Sequence, residues 1–374
     1  MSSDKTFYAY VGTYSPNGEG IYLYSVDPKT GLLLKRESVV CSVTSPAQMV
    51  IDAQSKTLFA ASEVDNYKSG KNGCIVALSI DQSTGSLTQL NELDSLGTWP
   101  CHLSLNPKES LLLVANYGSG SVAVFPIDPA TRQLQPSSAF FEAKDNVGPT
   151  KAVGAQPGSF SNSGHDAPHA HWFGTDPSGQ YAFSTDLGQD RIYQWKLSDA
   201  GALAPNTPAF IDGPSAGCGP RHLVFHCNGK FVYMLNEESS AVTLYHFDQS
   251  TGLLQQRQTL STFEPSYRGS SFGSGIILSQ CGRFVYAANR LRNTVTLFSV
   301  EQTEGTLTFV EEVWTRGDFP RSIVIDPLGN HLYVLNQRSD NITIFTVDKS
   351  TGRLSFIDRY IDVGSPSQMV FASI

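Results

Sequence analysis

One short pattern returns seven times along this chain, and repetition of that kind leaves few folds open. Each copy is an aliphatic and aromatic run ending in Asn, Asp or a small residue, a polar turn, a second β-rich run ending near Asp, and then commonly Thr-Gly and a Leu. The copies begin at Phe7, Leu58, Leu111, Tyr181, Phe231, Phe284 and His331 and read YVGTY, FAASE, LVANY, FSTDL, YMLNE, YAANR and YVLNQ before the turn. A period of roughly fifty residues made only of short strands and turn residues is the mark of propeller blades. The expected fold is all-β: a seven-bladed β-propeller with four antiparallel strands per blade.

A chain of 374 residues is long enough for two or three ordinary domains, but a repeat running from end to end predicts a single propeller domain over 1–374. Hydrophobic content of 40% suits sheets buried on both faces. The six cysteines (Cys41, Cys74, Cys101, Cys218, Cys227 and Cys281) show no CxxC spacing, so they read as reduced, mostly packed thiols of a cytoplasmic protein. MSSDKTFYAYVG at the N-terminus has no basic segment followed by an apolar stretch, and no window is long enough to span a bilayer. A net charge of −8 disfavours nucleic acid, whose binders normally carry a basic footprint. The expected partner is a small anionic molecule, with no nucleic acid, no membrane and a monomeric or weakly homo-oligomeric state.

Turn chemistry divides each repeat into strands. In the fifth, Arg221 to Phe225 is the inner strand, Cys227-Asn228-Gly229 a turn, and Phe231 to Leu235, Ala241 to Phe247 and Leu253 to Leu260 follow. The first repeat lacks an inner strand, whereas the chain ends in SPSQMVFASI, which matches SPAQMVI at Ser45 to Ile51. The C-terminal strand is therefore expected to complete the first blade and remove the exposed edges of an open ring. One stretch breaks the period: an insertion at about 143–167, rich in Gly, Ser, Asn and Pro, reads either as a surface loop or as a flap over one channel mouth.

In an antiparallel blade the start of the inner strand and the end of the second strand lie at the same rim of the ring. The inner-strand starts are Ala47-Gln48, Cys101-His102, His171, Arg221-His222, Arg321-Ser322 and Ser367-Gln368; the second-strand ends are Tyr14, Glu63, Tyr117, Leu187, Glu237, Arg290 and Gln337. Blades four to six thus bring His171, Arg221, Glu237 and Arg290 to one mouth. Two guanidiniums offer bidentate donors to a carboxylate or phosphate, and a His with a Glu can move protons.

The run of VGTY, DPSGQYAFSTDLGQDRI, GPRHLVFH, YMLNE, GRFVYAANR and FPRSIVIDPLGNHLYVLNQ resembles the seven-bladed lactonase propeller family, which includes a bacterial type of 6-phosphogluconolactonase and the fungal carboxy-cis,cis-muconate cyclase. The resemblance covers essentially the whole chain. It implies hydrolysis of a sugar lactone, most specifically 6-phosphogluconolactone of the pentose phosphate pathway, without a cofactor. It also implies that His171 in PHAHW, Arg221 in GPRH, Glu237 in LNEES and Arg290 in AANR are catalytic, with Arg321 in FPRS as a further family Arg. His222, His102 and His169 join Arg321 as expected substrate-binding residues. Where many relatives carry an acidic residue and a His, this chain has Gly275 and Ile277.

In the expected mechanism Arg221 and Arg290 hold the substrate and stabilise the oxyanion, while Glu237 or His171 takes the proton from water. Two rivals stay open: cyclisation of a muconate-type carboxylate at the same site, and a non-catalytic interaction scaffold. His165, Asp166, His169 and His171 lie close in sequence, but no further ligand triad accompanies them and no metal site is expected. No Ser sits in a GxSxG elbow.

Overall fold

The computed structural model describes residues 7–54, 56–144, 146–150, 153 and 164–373. They build seven four-stranded antiparallel sheets, six from strands consecutive in sequence and one from the first three strands plus the last. Blade five runs Pro220–Phe225, Phe231–Asn236, Ala241–Asp248 and Leu253–Ser261, within a residue of the sequence expectation at each end. Blade one pairs Phe7–Thr13 with the C-terminal Pro366–Ser373, placing Tyr8 opposite Ala372 and Tyr10 opposite Val370. This closure turns a row of sheets into a ring, and the inner strands touch in an unbroken cycle from blade one through blade seven and back.

Strand alternation explains why both faces of each sheet are apolar. In blade five Phe231, Tyr233 and Leu235 pack into a cluster with blade six, while Val232 and Met234 pack into one with blade four. Seven such clusters exist, one at each seam between neighbouring blades. The Thr-Gly repeat has the same origin. Gly305 and Gly352 sit at φ of 75°, a left-handed conformation that glycine adopts without strain. A Cβ added at either would stand 2.6 Å from the ring of Phe231 or Phe284 in the preceding blade. The carbonyls of these glycines accept hydrogen bonds from Tyr233 and Tyr286 across the seam, at 2.8 and 2.7 Å. Tyr10 to Gly85 and Tyr333 to Gly31 repeat the arrangement.

Of the insertion at 143–167, residues 145, 151–152 and 154–163 lie outside those described, and the expected flap falls mainly on them. Its flanks are tied down: Gly148 N–H donates to the Gly188 carbonyl, Gly164 N–H to Glu238 Oε1, and His165 Nε2 lies 2.9 Å from Asp190 Oδ1. Among the described residues no helix is long and apolar enough to cross a membrane. All six cysteines are free. Cys74, Cys101 and Cys218 are buried and Cys41 half-buried, in line with mostly packed thiols, while Cys227 and Cys281 are exposed because both stand in hairpin turns at the rim away from the charged mouth.

Candidate active site

Every blade introduces an irregularity near the start of its inner strand. In blade five Pro220 pairs with Asn236 and His222 with Leu235, which leaves Arg221 with no residue opposite. Ala47, Cys101, His171, Arg321 and Ser367 occupy the equivalent place in blades two, three, four, seven and one. In blade six Ser274 and Gly275 together span the gap opposite Ala288. A bulge takes one residue out of strand alternation and re-aims its side chain. Here the repeated bulge supplies a ring of side chains to the channel. Five blades enter it the same way, with a left-handed residue before proline: Ser45, Trp99, Gly219, Phe319 and Ser365 at φ of 46°, 54°, 65°, 61° and 42°.

The opposing positions, just past the second strands, are fixed by backbone bonds. The N–H groups of Glu63, Tyr117, Glu237 and Gln337 donate to the carbonyls of Ser45, Trp99, Gly219 and Phe319 at 2.7–3.0 Å. In three of these blades a fully buried Asn (Asn116, Asn236 or Asn336) precedes that residue. Asn236 Nδ2 ties the turn together by donating to the Ala241 carbonyl and Thr243 Oγ1. Where an Asn ends the repeat's first run it therefore holds the strand exit, and the residue after it reaches the mouth.

These two rings of positions meet in a chamber of about 220 Å3 lined by Glu63, Cys101, Tyr117, His171, Glu237, Arg290 and Arg321. Its blade-five wall is an ionic cluster. Glu237 Oε2 accepts from Arg221 Nε and its Oε1 is paired with Arg290 Nη2, both at 2.7 Å, and His171 Nε2 stands 3.7 Å from Oε2. Arg290 also donates to the Gly273 carbonyl at 2.9 Å and lies over the rings of Phe272 and Phe319. The facing wall repeats the theme with Arg321 Nη2 3.3 Å from Glu63 Oε2, Tyr14 donating to the same oxygen, and the Arg321 guanidinium 4.9 Å from the centre of the Tyr14 ring.

Burial sets the protonation states. Desolvation alone favours a neutral Glu237, but Arg290 and Arg221 outweigh it and hold the carboxyl below its ordinary range. Burial, reinforced by the Arg221 charge, pushes His171 well below the usual imidazole value, so its ring is neutral at neutral pH. Burial lowers Arg221 to about 10, which leaves it cationic. Burial and then the Glu237 charge raise Tyr117, keeping its hydroxyl protonated. The chamber thus offers guanidiniums, a phenol donor and an uncharged imidazole together.

The four residues expected to be catalytic come together, with Glu237 at their centre. Two placements bear on the expected roles. Glu237 has both oxygens engaged by guanidiniums, which hold its basicity down, while the buried His171 ring beside it is neutral. His169, expected to touch substrate, lies outside the chamber lining: its Nδ1 pairs with the Tyr117 carbonyl, its Nε2 with Asp166 Oδ1, and its ring stacks on Tyr117 at 4.1 Å. It positions Tyr117. The histidines weighed as metal ligands diverge, since His165 bonds Asp190, His169 bonds Asp166 and His171 faces Glu237. His102 and His222 stand below the chamber, T-stacked at 5.4 Å. Sequence reasoning did not select Glu63, Tyr14 and Tyr117 as site residues. Their signal was present, because all three occupy the strand-end position that had picked out Glu237 and Arg290.

Comparison with known proteins follows the same outline. Residues 8–371 match the model of a family described as lactonase, 7-bladed beta-propeller. A 6-phosphogluconolactonase of Bacillus subtilis is 32% identical over 308 residues, 82% of this chain and 81% of that one. One from Formosa agariphila is 30% identical over 80% of this chain and 81% of its own length. Among solved structures, the periplasmic gluconolactonase PpgL of Pseudomonas aeruginosa superposes with a TM-score of 0.88 at 28% identity, covering 99% of this chain and 100% of the other.

Proposed function

This chain belongs to the lactonase family of seven-bladed β-propellers, and on that premise we propose that it opens a sugar lactone by hydrolysis, with 6-phosphogluconolactone as its substrate. The observation that carries the reading is a buried imidazole kept neutral beside three guanidiniums, in a chamber with room for a small anion. Lactone hydrolysis needs those two things. The carbonyl oxygen gains negative charge as water adds, and prepositioned cationic donors stabilise it. Arg290 is suited to that role because its Nε is buried without a hydrogen-bond partner among the described residues. His171 Nε2 accepts the proton of the attacking water as the new C–O bond forms. Collapse of the tetrahedral adduct then breaks the bond from the carbonyl carbon to the ring oxygen, and the imidazolium returns the proton to that oxygen. Glu237 balances Arg221 and Arg290 and stabilises the imidazolium 3.7 Å away. Tyr117 offers a further hydroxyl donor.

The six free thiols fit a reducing compartment, and we place the activity in the cytoplasm. Purified protein assayed against 6-phosphogluconolactone, gluconolactone and a carboxymuconate tests the reading directly. Turnover of the phosphorylated lactone above its spontaneous opening is expected; turnover of none of the three overturns it, and turnover of the muconate alone transfers the site to cyclisation. Arg221→Ala and Glu237→Gln should each lower kcat/KM at least about tenfold, or about 1.4 kcal/mol. His171→Gln should lower kcat by about a hundredfold with a smaller change in KM, as loss of a general base does.

A further inference from the structure

Beneath the reaction chamber lies a second space of about 180 Å3. The two share only Cys101 and Arg321 in their linings, and they differ in charge. The upper one contains two carboxylates, Glu63 and Glu237, beside its guanidiniums. The lower one is lined by Arg221, Arg321, His102, His222, Gln48 and Gln368 among others, with no carboxylate among the described residues. Gly275 contributes no side chain to close it.

Two nitrogens here are left over by the protein's own contacts. Arg221 is 3% exposed, spends its Nε on Glu237 Oε2, and keeps a buried Nη1 with no hydrogen-bond partner among the described residues. His222 Nε2 is likewise buried and unpartnered. Buried donors left unmade cost on the order of 1–3 kcal/mol each, and groups of this kind need a reason. Two guanidiniums, two imidazoles and two amides around a space without a carboxylate form a cage for an oxyanion, since guanidinium donors match the geometry of phosphate oxygens. Burial holds His102 down to about 3 and His222 well below its usual value, so each ring is neutral and able to present one N–H.

We propose that this lower chamber is a phosphate subsite, distinct from the chamber above it where the ester bond is cut. Arg221 links the two, with one edge on Glu237 and the other on the anion. As a site for the substrate's own phosphoryl group the inference rests on the lactonase reading; as a site for free phosphate it does not. The difference decides how it is tested.

Gln48→Glu places a carboxylate in the cage at nearly constant shape, and His222→Leu removes a donor without adding charge. Inorganic phosphate is titrated calorimetrically into the wild-type protein and both variants, with thermal unfolding run beside them to confirm the fold. Both substitutions should weaken phosphate binding at least fivefold, Gln48→Glu the more. In parallel, the ratio of kcat/KM for 6-phosphogluconolactone to that for gluconolactone should fall at least tenfold in Gln48→Glu, which assigns the subsite to the substrate. Weakened phosphate binding with an unchanged ratio supports the subsite and makes free phosphate its ligand. Phosphate binding and ratio both unchanged in both folded variants overturns the proposal. If the wild-type protein opens neither lactone, the lactonase reading fails while the calorimetric arm still decides the subsite.

Discussion

The seams between blades and the ring of bulges around the channel are both repeated seven times, yet they use repetition in opposite ways. At the seams the residues recur along with the backbone: apolar side chains alternate to both faces, and at four of the seven a left-handed glycine accepts a hydrogen bond on its carbonyl from a tyrosine of the neighbouring blade. At the bulges only the backbone recurs. The side chain changes from Ala47 to Cys101, His171, Arg221, Ser274, Arg321 and Ser367. Repetition of chemistry makes the scaffold, and variation within a repeated slot makes the site. Changes at a seam should therefore lower stability and spare catalysis, whereas changes in the ring strike catalysis directly.

The largest effect belongs to the seam that closes the ring. Removing residues 366–374 takes away the strand that pairs with the inner side of Phe7–Thr13 and uncovers the edge at Tyr8 and Tyr10. The truncated chain should lose its cooperative thermal transition. A truncated protein that still melts sharply would show that closure is not what holds the seams together.

How much of this was legible in the sequence follows from the same contrast. The seams were readable because their signals are local and periodic: Asp, then Thr-Gly, then Leu in one blade after another, and Asn228-Gly229 in a hairpin turn. The rim residues His171, Arg221, Glu237 and Arg290 were readable because counting from those turns lands on one edge of the ring. The bulges were not, since nothing in Pro220-Arg221-His222 distinguishes a bulged from a regular strand start; the bulge is defined by pairing with Asn236 and Leu235. Partner choice was hidden for the same reason. That Glu237 is clamped by two guanidiniums from different blades, that Glu63 pairs with an Arg 258 positions away, and that His169 turns back to Asp166 depend on where the blades stand around the axis.

A smaller effect tests the seam without breaking the ring. Gly352→Ala puts a Cβ 2.6 Å from the Phe284 ring at φ of 75°, combining left-handed strain with overpacking. The two together should cost about 2–4 kcal/mol of unfolding free energy in urea. Because the glycine lies at the outer turn of blade seven, far along the blade from the bulge at Arg321, kcat/KM should stay within about twofold of wild type at a temperature where the variant is folded. A parallel loss of activity would mean that the seams tune the channel as well as hold it.

The subtlest effect separates two consecutive carboxyls at the edge of the ring. Glu237, between guanidiniums, is held below its ordinary value, while burial and the adjacent Glu237 charge push Glu238 up to about 8. Glu238 accepts a hydrogen bond from Gly164 N–H at 2.9 Å, which opposes the rise without cancelling it. A carboxyl whose folded value lies above its unfolded 4.5 keeps its proton longer in the native state, so the native state binds more protons between those limits. Stability then falls as pH rises through that window. Glu238→Gln keeps an acceptor for Gly164 and removes the titration. Its melting temperature relative to wild type should therefore climb between pH 5 and pH 8, by a few degrees at most, whereas Glu237→Gln shows no such climb because its partners lose their counter-charge throughout. Melting curves for Glu238→Gln and wild type that stay parallel across that range would place Glu238 in a solvated setting and remove it from the buried charge of the ring.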